Sequence, residues 1–355
     1  MASTNTRFTA IGMSGSGKTC YVLGMYYQMI TGYKGFSLKA GKDSVRRLED
    51  WMDMLDDESG QDRFPAGTAV TAVDDYEFKL KYALQDIMTF NWIDYGGGIL
   101  KVREDGGEAY QMLCESIEES PVLYVFIDGE LLCQEDKELA IKTLSRKVRT
   151  INTFLMEYAE NHQEEMLPIV FVITKADMCL DYIDDKDIVA IMQECFDFLM
   201  VKGIRFYVTM VSLGKEIADD DYSGEVDPEC MHLPFFIGIY HTFMNFCFTL
   251  KSEILEEERR NQGVISERQS AIYHERNKTG WGFLDNMLCK ESNIERCRQQ
   301  IANANETIQS NQELLAHYKK LMNAVSSQLL RDSKDFKMFE DGIEKDFDAS
   351  ESFEL

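Results

Sequence analysis

The chain has 355 residues, an apolar fraction of 45% and a formal net charge of −25. This composition excludes a wholly disordered chain, and the length predicts a main domain with a smaller appendage. So acidic a surface repels a phosphate backbone, which argues against nucleic acid as a partner. An anionic ligand therefore needs a local device, such as converging backbone amides beside a lysine.

In chain order, a strand over 7–13 runs directly into Gly12-Met13-Ser14-Gly15-Ser16-Gly17-Lys18-Thr19, and a helix-like stretch follows over 20–30. From Lys34 to about Ala66 the chain is polar and weakly patterned. The segments 76–82 and 88–94 then read as extended and close enough to form an antiparallel hairpin; the first alternates apolar and charged residues. Three apolar runs follow, at 122–128, 168–174 and 204–212, with helical stretches over 135–162 and 186–200 between them. Short, nearly continuous apolar runs suit strands buried on both faces of a parallel sheet. The alternation predicts an α/β domain with a doubly wound, mostly parallel sheet over residues 1–260.

Residues 232–250 carry no Lys, Arg, Asp or Glu and approach membrane-spanning length. Pro234, His241 and Asn245 interrupt them, so they read as a buried helix closing the core rather than a membrane span. Beyond, Ile294, Ile301, Ile308, Leu315, Met322 and Leu329 recur every seven residues, and Cys297, Ala304, Asn311, Tyr318 and Val325 form a second seam. With the breaker at 277–282, the heptad predicts a helical hairpin or coiled coil over 261–340. Its seam packs either on its own neighbouring helix or on another chain. Residues 341–355 are acidic and are expected to be a disordered tail. Nine cysteines without a CxxC pair point to reduced thiols and a cytoplasmic protein.

The 12–19 segment matches GxxxxGK[ST]. Its glycines let successive N–H groups curl around one anion, and the helix that begins there adds its positive end. Lys18 then reaches the β- and γ-phosphates, and the Thr19 hydroxyl can ligate Mg²⁺. Gly12, Ser14, Gly15, Ser16, Gly17 and Cys20 complete the expected cradle. Thr174-Lys175-Ala176-Asp177 sits at a predicted strand end, where ligands of open α/β sheets bind. A carboxylate at Asp177 can accept from both the N1–H and the exocyclic amine of guanine, a donor pair that adenine lacks. Lys175 would pack over the base, and Thr174 would tie loops together. Between these motifs, Asp94 ends another strand ahead of Tyr95-Gly96-Gly97-Gly98; the Asp can hold Mg²⁺ through a water, and the Gly97 N–H can meet a γ-phosphate.

With these motifs in this order, the chain resembles the Ras-like GTPases of the translation-factor-related class of P-loop proteins over about residues 7–260. The resemblance implies a switch threonine, at Thr68 or Thr71, a base-loop serine at Ser212, and GTP, GDP and Mg²⁺ as ligands. Phe64-Pro65-Ala66-Gly67-Thr68 is similar to the switch segment of bacterial double-GTPase proteins of conflict and defence systems. Ras-like enzymes place a glutamine after DxxG to orient the attacking water, whereas Gly98 stands here. Hydrolysis is therefore expected to be slow or assisted by a partner; Lys101, Arg103 and Glu104 are candidates to contribute in cis. The expected function is a GTPase switch acting on an effector, or self-associating, through its helices. The alternative is a nucleotide-binding scaffold with little hydrolysis.

Overall fold

The computed structural model describes residues 6–56, 63–65, 67–69, 72–101, 107–134, 136–161, 167–180, 183–200, 203–215, 217, 224–277 and 285–348. The apolar segments assemble into one sheet. Its strands are β1 (Thr6–Gly12), β2 (Phe36–Ala40), β3 (Val73–Tyr82), β4 (Gln85–Tyr95), β5 (Leu123–Asp128), β6 (Ile169–Thr174), β7 (Arg205–Met210), β8 (Phe336–Glu340) and β9 (Ile343–Lys345). The helices are α1 (Lys18–Ile30), α2 (Lys42–Asp56), α3 (Glu108–Glu118), α4 (Lys137–Asn161), α5 (Ala176–Cys179), α6 (Asp185–Cys195), α7 (His232–Asn277) and α8 (Asp285–Arg331).

The spatial order is β2-β3-β4-β1-β5-β6-β7-β8-β9. Four joins are parallel, linking β4, β1, β5, β6 and β7. Four are antiparallel: β2 with β3, β3 with β4, β7 with β8, and β8 with β9. The sheet is mixed, and this corrects the expectation of a doubly wound, mostly parallel one. The physical reason lies at the edges. The hairpin β3–β4 recruits β2 from the stretch that looked unpatterned, and the chain returning from α8 lays β8 and β9 against β7. Phe206 and Phe339 stack across that added join with centroids 4.6 Å apart. Residues 343–345, inside the expected disordered tail, form β9, and Phe347 just beyond is buried.

Burial follows the residue pattern. All six residues of β6 and the first five of β5 are buried, as their unbroken apolar runs require. In β3, Tyr76, Phe78 and Leu80 point inward while Asp75, Glu77 and Lys79 are exposed, the period of two of a half-buried strand. In α2, Leu48 and Leu55 lie about two turns apart on one helical face and are both buried.

The chain divides into two compact units: residues through His241 with Ser327–Asp348, and residues 242–326. In the first unit the opening of α7 packs on the sheet, with Phe235 against Phe8 and Phe90 at centroid distances of 6.2 and 5.4 Å. Residues His232–Gly263 are long and apolar enough to cross a membrane by length and composition, but 67% of that apolar window is buried inside the protein, as in a core helix. In the second unit α8 runs against α7 of the same chain: Tyr318 meets Phe243 and Phe246 with centroids 6.1 and 5.2 Å apart. Along the heptad seam Ile308, Leu315 and Tyr318 are half-buried, whereas Met322 and Val325 are buried. The side chains of Ile294, Cys297 and Ala304 lie outside the described residues.

Candidate functional site

β1 ends at Gly12 and α1 begins at Lys18, so the glycine-rich segment is a strand-to-helix turn. Gly15 and Gly17 take φ of 81° and 76°, a left-handed conformation that side-chain-bearing residues adopt at a cost. Ser16 closes the turn, its N–H and its hydroxyl both donating to the Met13 carbonyl at 3.2 and 2.8 Å. Lys18 is buried and folds back over the turn; its Nζ donates to the carbonyls of Met13 at 3.2 Å and Gly12 at 3.4 Å. Burial pushes its ammonium below the usual lysine range, and the Asp94 carboxylate opposes that shift.

Asp94, near the end of β4, is fully buried. Its Oδ2 accepts from the Thr19 hydroxyl at 2.7 Å, and its Oδ1 has no hydrogen-bond partner among the described residues. Burial pushes this carboxyl above the ordinary range, against the pull of Lys18 and of the Thr19 hydrogen bond. An orphaned buried carboxylate oxygen demands a partner, because an unsatisfied charged acceptor is costly. The residues present fit a Mg²⁺ ion, which takes one or two carboxylates and fills its other positions with waters and substrate phosphates. Just beyond, Gly97 presses on the glycine-rich turn: a β-carbon there would lie 2.1 Å from the Ser14 nitrogen.

The strand ends of β6 and β7 form the other wall. The Thr174 hydroxyl shares its one proton between the Ser16 and Ile127 carbonyls, at 3.1 and 3.2 Å, joining the turn to β5 and β6. Lys175 adopts a left-handed φ of 53°, and its Nζ reaches Asp128 at 3.0 Å and Glu130 at 2.8 Å. Burial lowers the Lys175 pKa, but those two carboxylates outweigh it and raise the group above its usual value. Asp177 Oδ1 accepts from the Ser212 hydroxyl at 2.6 Å. Ser212 is itself fixed by backbone bonds in both directions with Glu229.

These segments border one cleft of about 510 Å³. Ser14, Gly15, Ser16, Gly17, Lys18, Thr19, Cys20, Thr68, Gly97, Thr174, Lys175 and Asp177 line it. Gly12 lies beneath it in the strand, while Asp94 and Ser212 stand behind the lining and hold Thr19 and Asp177. Burial pushes the Cys20 thiol up to about 11, so it is protonated at neutral pH. Thr68 borders the cleft, with its hydroxyl donating to Asp74 at 3.3 Å. Thr71, Arg103 and Glu104 fall outside the described residues, as does the side chain of Lys101.

Several participants carry no motif signal. Glu130 lines the cleft and anchors Lys175; only its place two residues past an apolar run hints at it. Arg63 is buried and donates to the Leu55 and Gly224 carbonyls, fixing the segment that carries Phe64 and Pro65 into the cleft. An apolar wall of Met178, Val211, Leu213, Ile217 and Met231 faces the polar loops. Chemically, the cleft joins a lysine and loop amides for an anion, a carboxylate and hydroxyl for a cation, and a carboxylate beside an apolar wall for a ring bearing N–H donors. Comparison of the chain with protein-family models, with curated proteins and with solved structures gave no match.

Proposed function

We propose that this protein binds guanine nucleotide with Mg²⁺ in the 510 Å³ cleft and works as a GTPase-type switch. The observation that carries the reading is the convergence of three motif segments, at 12–19, 94–97 and 174–177, on one cleft. Its volume suits a small-molecule site, roughly 300–1,000 Å³. The loop amides and Lys18 take the β- and γ-phosphates, which return to Lys18 the charge partner that burial denies it. Thr19, and Asp94 through a water, would hold the cation, which would neutralise charge on the phosphates. Asp177, steadied by Ser212, accepts from the guanine N1–H and amine while the Lys175 stem covers the ring.

GTP and water yield GDP and phosphate, slowly or with a partner's help, because Gly98 has no side chain to orient the water. The same glycine favours a second reading, a nucleotide-dependent interaction protein with little turnover. Phosphate release in a single turnover, with and without partner, separates the two. A protein effector or a second copy would read the switch loops or the helices α7 and α8. A cytoplasmic location fits the seven free cysteines among the described residues. The test of the base assignment is Asp177→Asn. Calorimetric titration should show GTP affinity falling at least tenfold and xanthosine triphosphate affinity rising; an unchanged preference removes Asp177 from the base site.

A further inference from the structure

Asp74 has no place in the motifs, yet it stands beside the residues assigned to the cation. The antiparallel register of β3 and β4 sets Asp74 directly opposite Asp94. Residues paired in this way project from the same face of the sheet, with β-carbons about 4.5–5.5 Å apart. Both Asp74 oxygens are engaged. Oδ1 accepts from Arg47 at 2.7 Å, and Oδ2 accepts from the Thr68 hydroxyl at 3.3 Å. Arg47 is itself held, its guanidinium lying 4.2 Å from the Tyr76 ring centroid and 5.5 Å from that of Trp51. A second Arg47 nitrogen reaches the Asp75 carbonyl at 3.5 Å.

A threonine hydroxyl has one proton and two lone pairs. With the proton directed at Asp74, the lone pairs are left to face another partner, and Thr68 borders the cleft with Thr19 and Gly97. We propose that Asp74, anchored by Arg47, is a positioning residue that takes the Thr68 proton and so turns the Thr68 oxygen into a ligand for the cation of a bound nucleoside triphosphate. Carboxylates that accept from a metal ligand fix its orientation and raise its basicity, and losing one typically costs about 10–100-fold in metal affinity. The Arg47–Asp74 pair ties that orientation to α2.

The inference rests on the nucleotide reading and on a difference between ligands: in a switch of this kind Thr68 is recruited by the triphosphate state and released in the diphosphate state. The ratio of GTP to GDP affinity therefore reports on Asp74 and cancels any general loss of stability, while loss of a negative charge by itself would favour the more highly charged GTP and push the ratio the other way. With fluorescent GTP and GDP analogues in Mg²⁺, Asp74→Ala should lower that ratio by about 10-fold or more. In a Thr68→Val background the same substitution should leave the ratio unchanged, since the hydroxyl it serves is gone. Asp74→Asn keeps an acceptor oxygen and the packing, and should fall between wild type and Asp74→Ala. An unchanged or increased ratio in Asp74→Ala, or an equal drop in the Thr68→Val background, overturns the positioning role alone. A wild type that binds neither nucleotide overturns the proposed function, and the role of Asp74 with it.

Discussion

Gly97→Ala tests whether the 94–97 turn and the glycine-rich turn work as one surface. A β-carbon at position 97 would lie 2.1 Å from the Ser14 nitrogen and 2.5 Å from both the Met13 carbonyl carbon and the Ser14 α-carbon. Comfortable separation is about 3.5 Å, so the two turns must part by about 1.4 Å. All three obstructing atoms are main chain, and no side-chain rotation relieves the clash. Overpacking of this kind costs about 1–3 kcal/mol of stability. The larger effect falls on binding, because the displaced Ser14 N–H is a proposed phosphate donor. Losing a hydrogen bond to a charged group costs about 1.5–3 kcal/mol, or about 10–150-fold in affinity. Urea denaturation of the ligand-free protein measures the first quantity, and titration with a fluorescent GTP analogue the second. A variant with wild-type stability and wild-type affinity would refute the contact and its role together.

Lys18→Ala should weaken triphosphate binding by about a hundredfold or more and also lower ligand-free stability, since it strips the buried Asp94 carboxylate of its opposing charge; titration and thermal unfolding of one preparation check both. His241 should make the fold sensitive to acid. It is buried with Nε2 2.9 Å from the Tyr207 hydroxyl, and burial pushes its pKa down to about 3. The folded value lies below the unfolded one, so the unfolded chain takes the proton first as pH falls. This contribution is fully present above about pH 6.5 and is lost progressively down to about 3, the loss reaching about 2 kcal/mol at pH 5. Denaturation midpoints of His241→Gln, compared with wild type at pH 8 and pH 5, should show a smaller acid loss in the variant. Gly238→Ala should destabilise by about 2–3 kcal/mol, because its β-carbon would meet the buried Tyr124 hydroxyl; chemical denaturation reads this directly.

The candidate site was legible in the sequence to the extent that its geometry is local. Gly15 and Gly17 supply the positive φ of the turn within a few residues of Lys18 and Thr19. Asp94 and Thr174 announce themselves by closing apolar runs. What depended on distant pairing was not legible. β2 is five residues long and has meaning only against β3, and β8 joins β7 across more than a hundred residues of chain. Those edge strands add further antiparallel joins to the expected β3–β4 hairpin, and together they make the sheet mixed. Asp74 and Glu130 resemble surface acids in the sequence. Only the register opposite Asp94 and the ion pair with Lys175 mark them.

A guanine-selective, Mg²⁺-dependent cleft is tested by equilibrium binding of fluorescent GTP, GDP and ATP analogues to the wild-type protein, with Mg²⁺ and with chelator. Tight GTP and GDP binding that ATP does not compete away, with GTP weakened by chelator, is the predicted result. Preference for ATP, or no binding of any of the three, would contradict it.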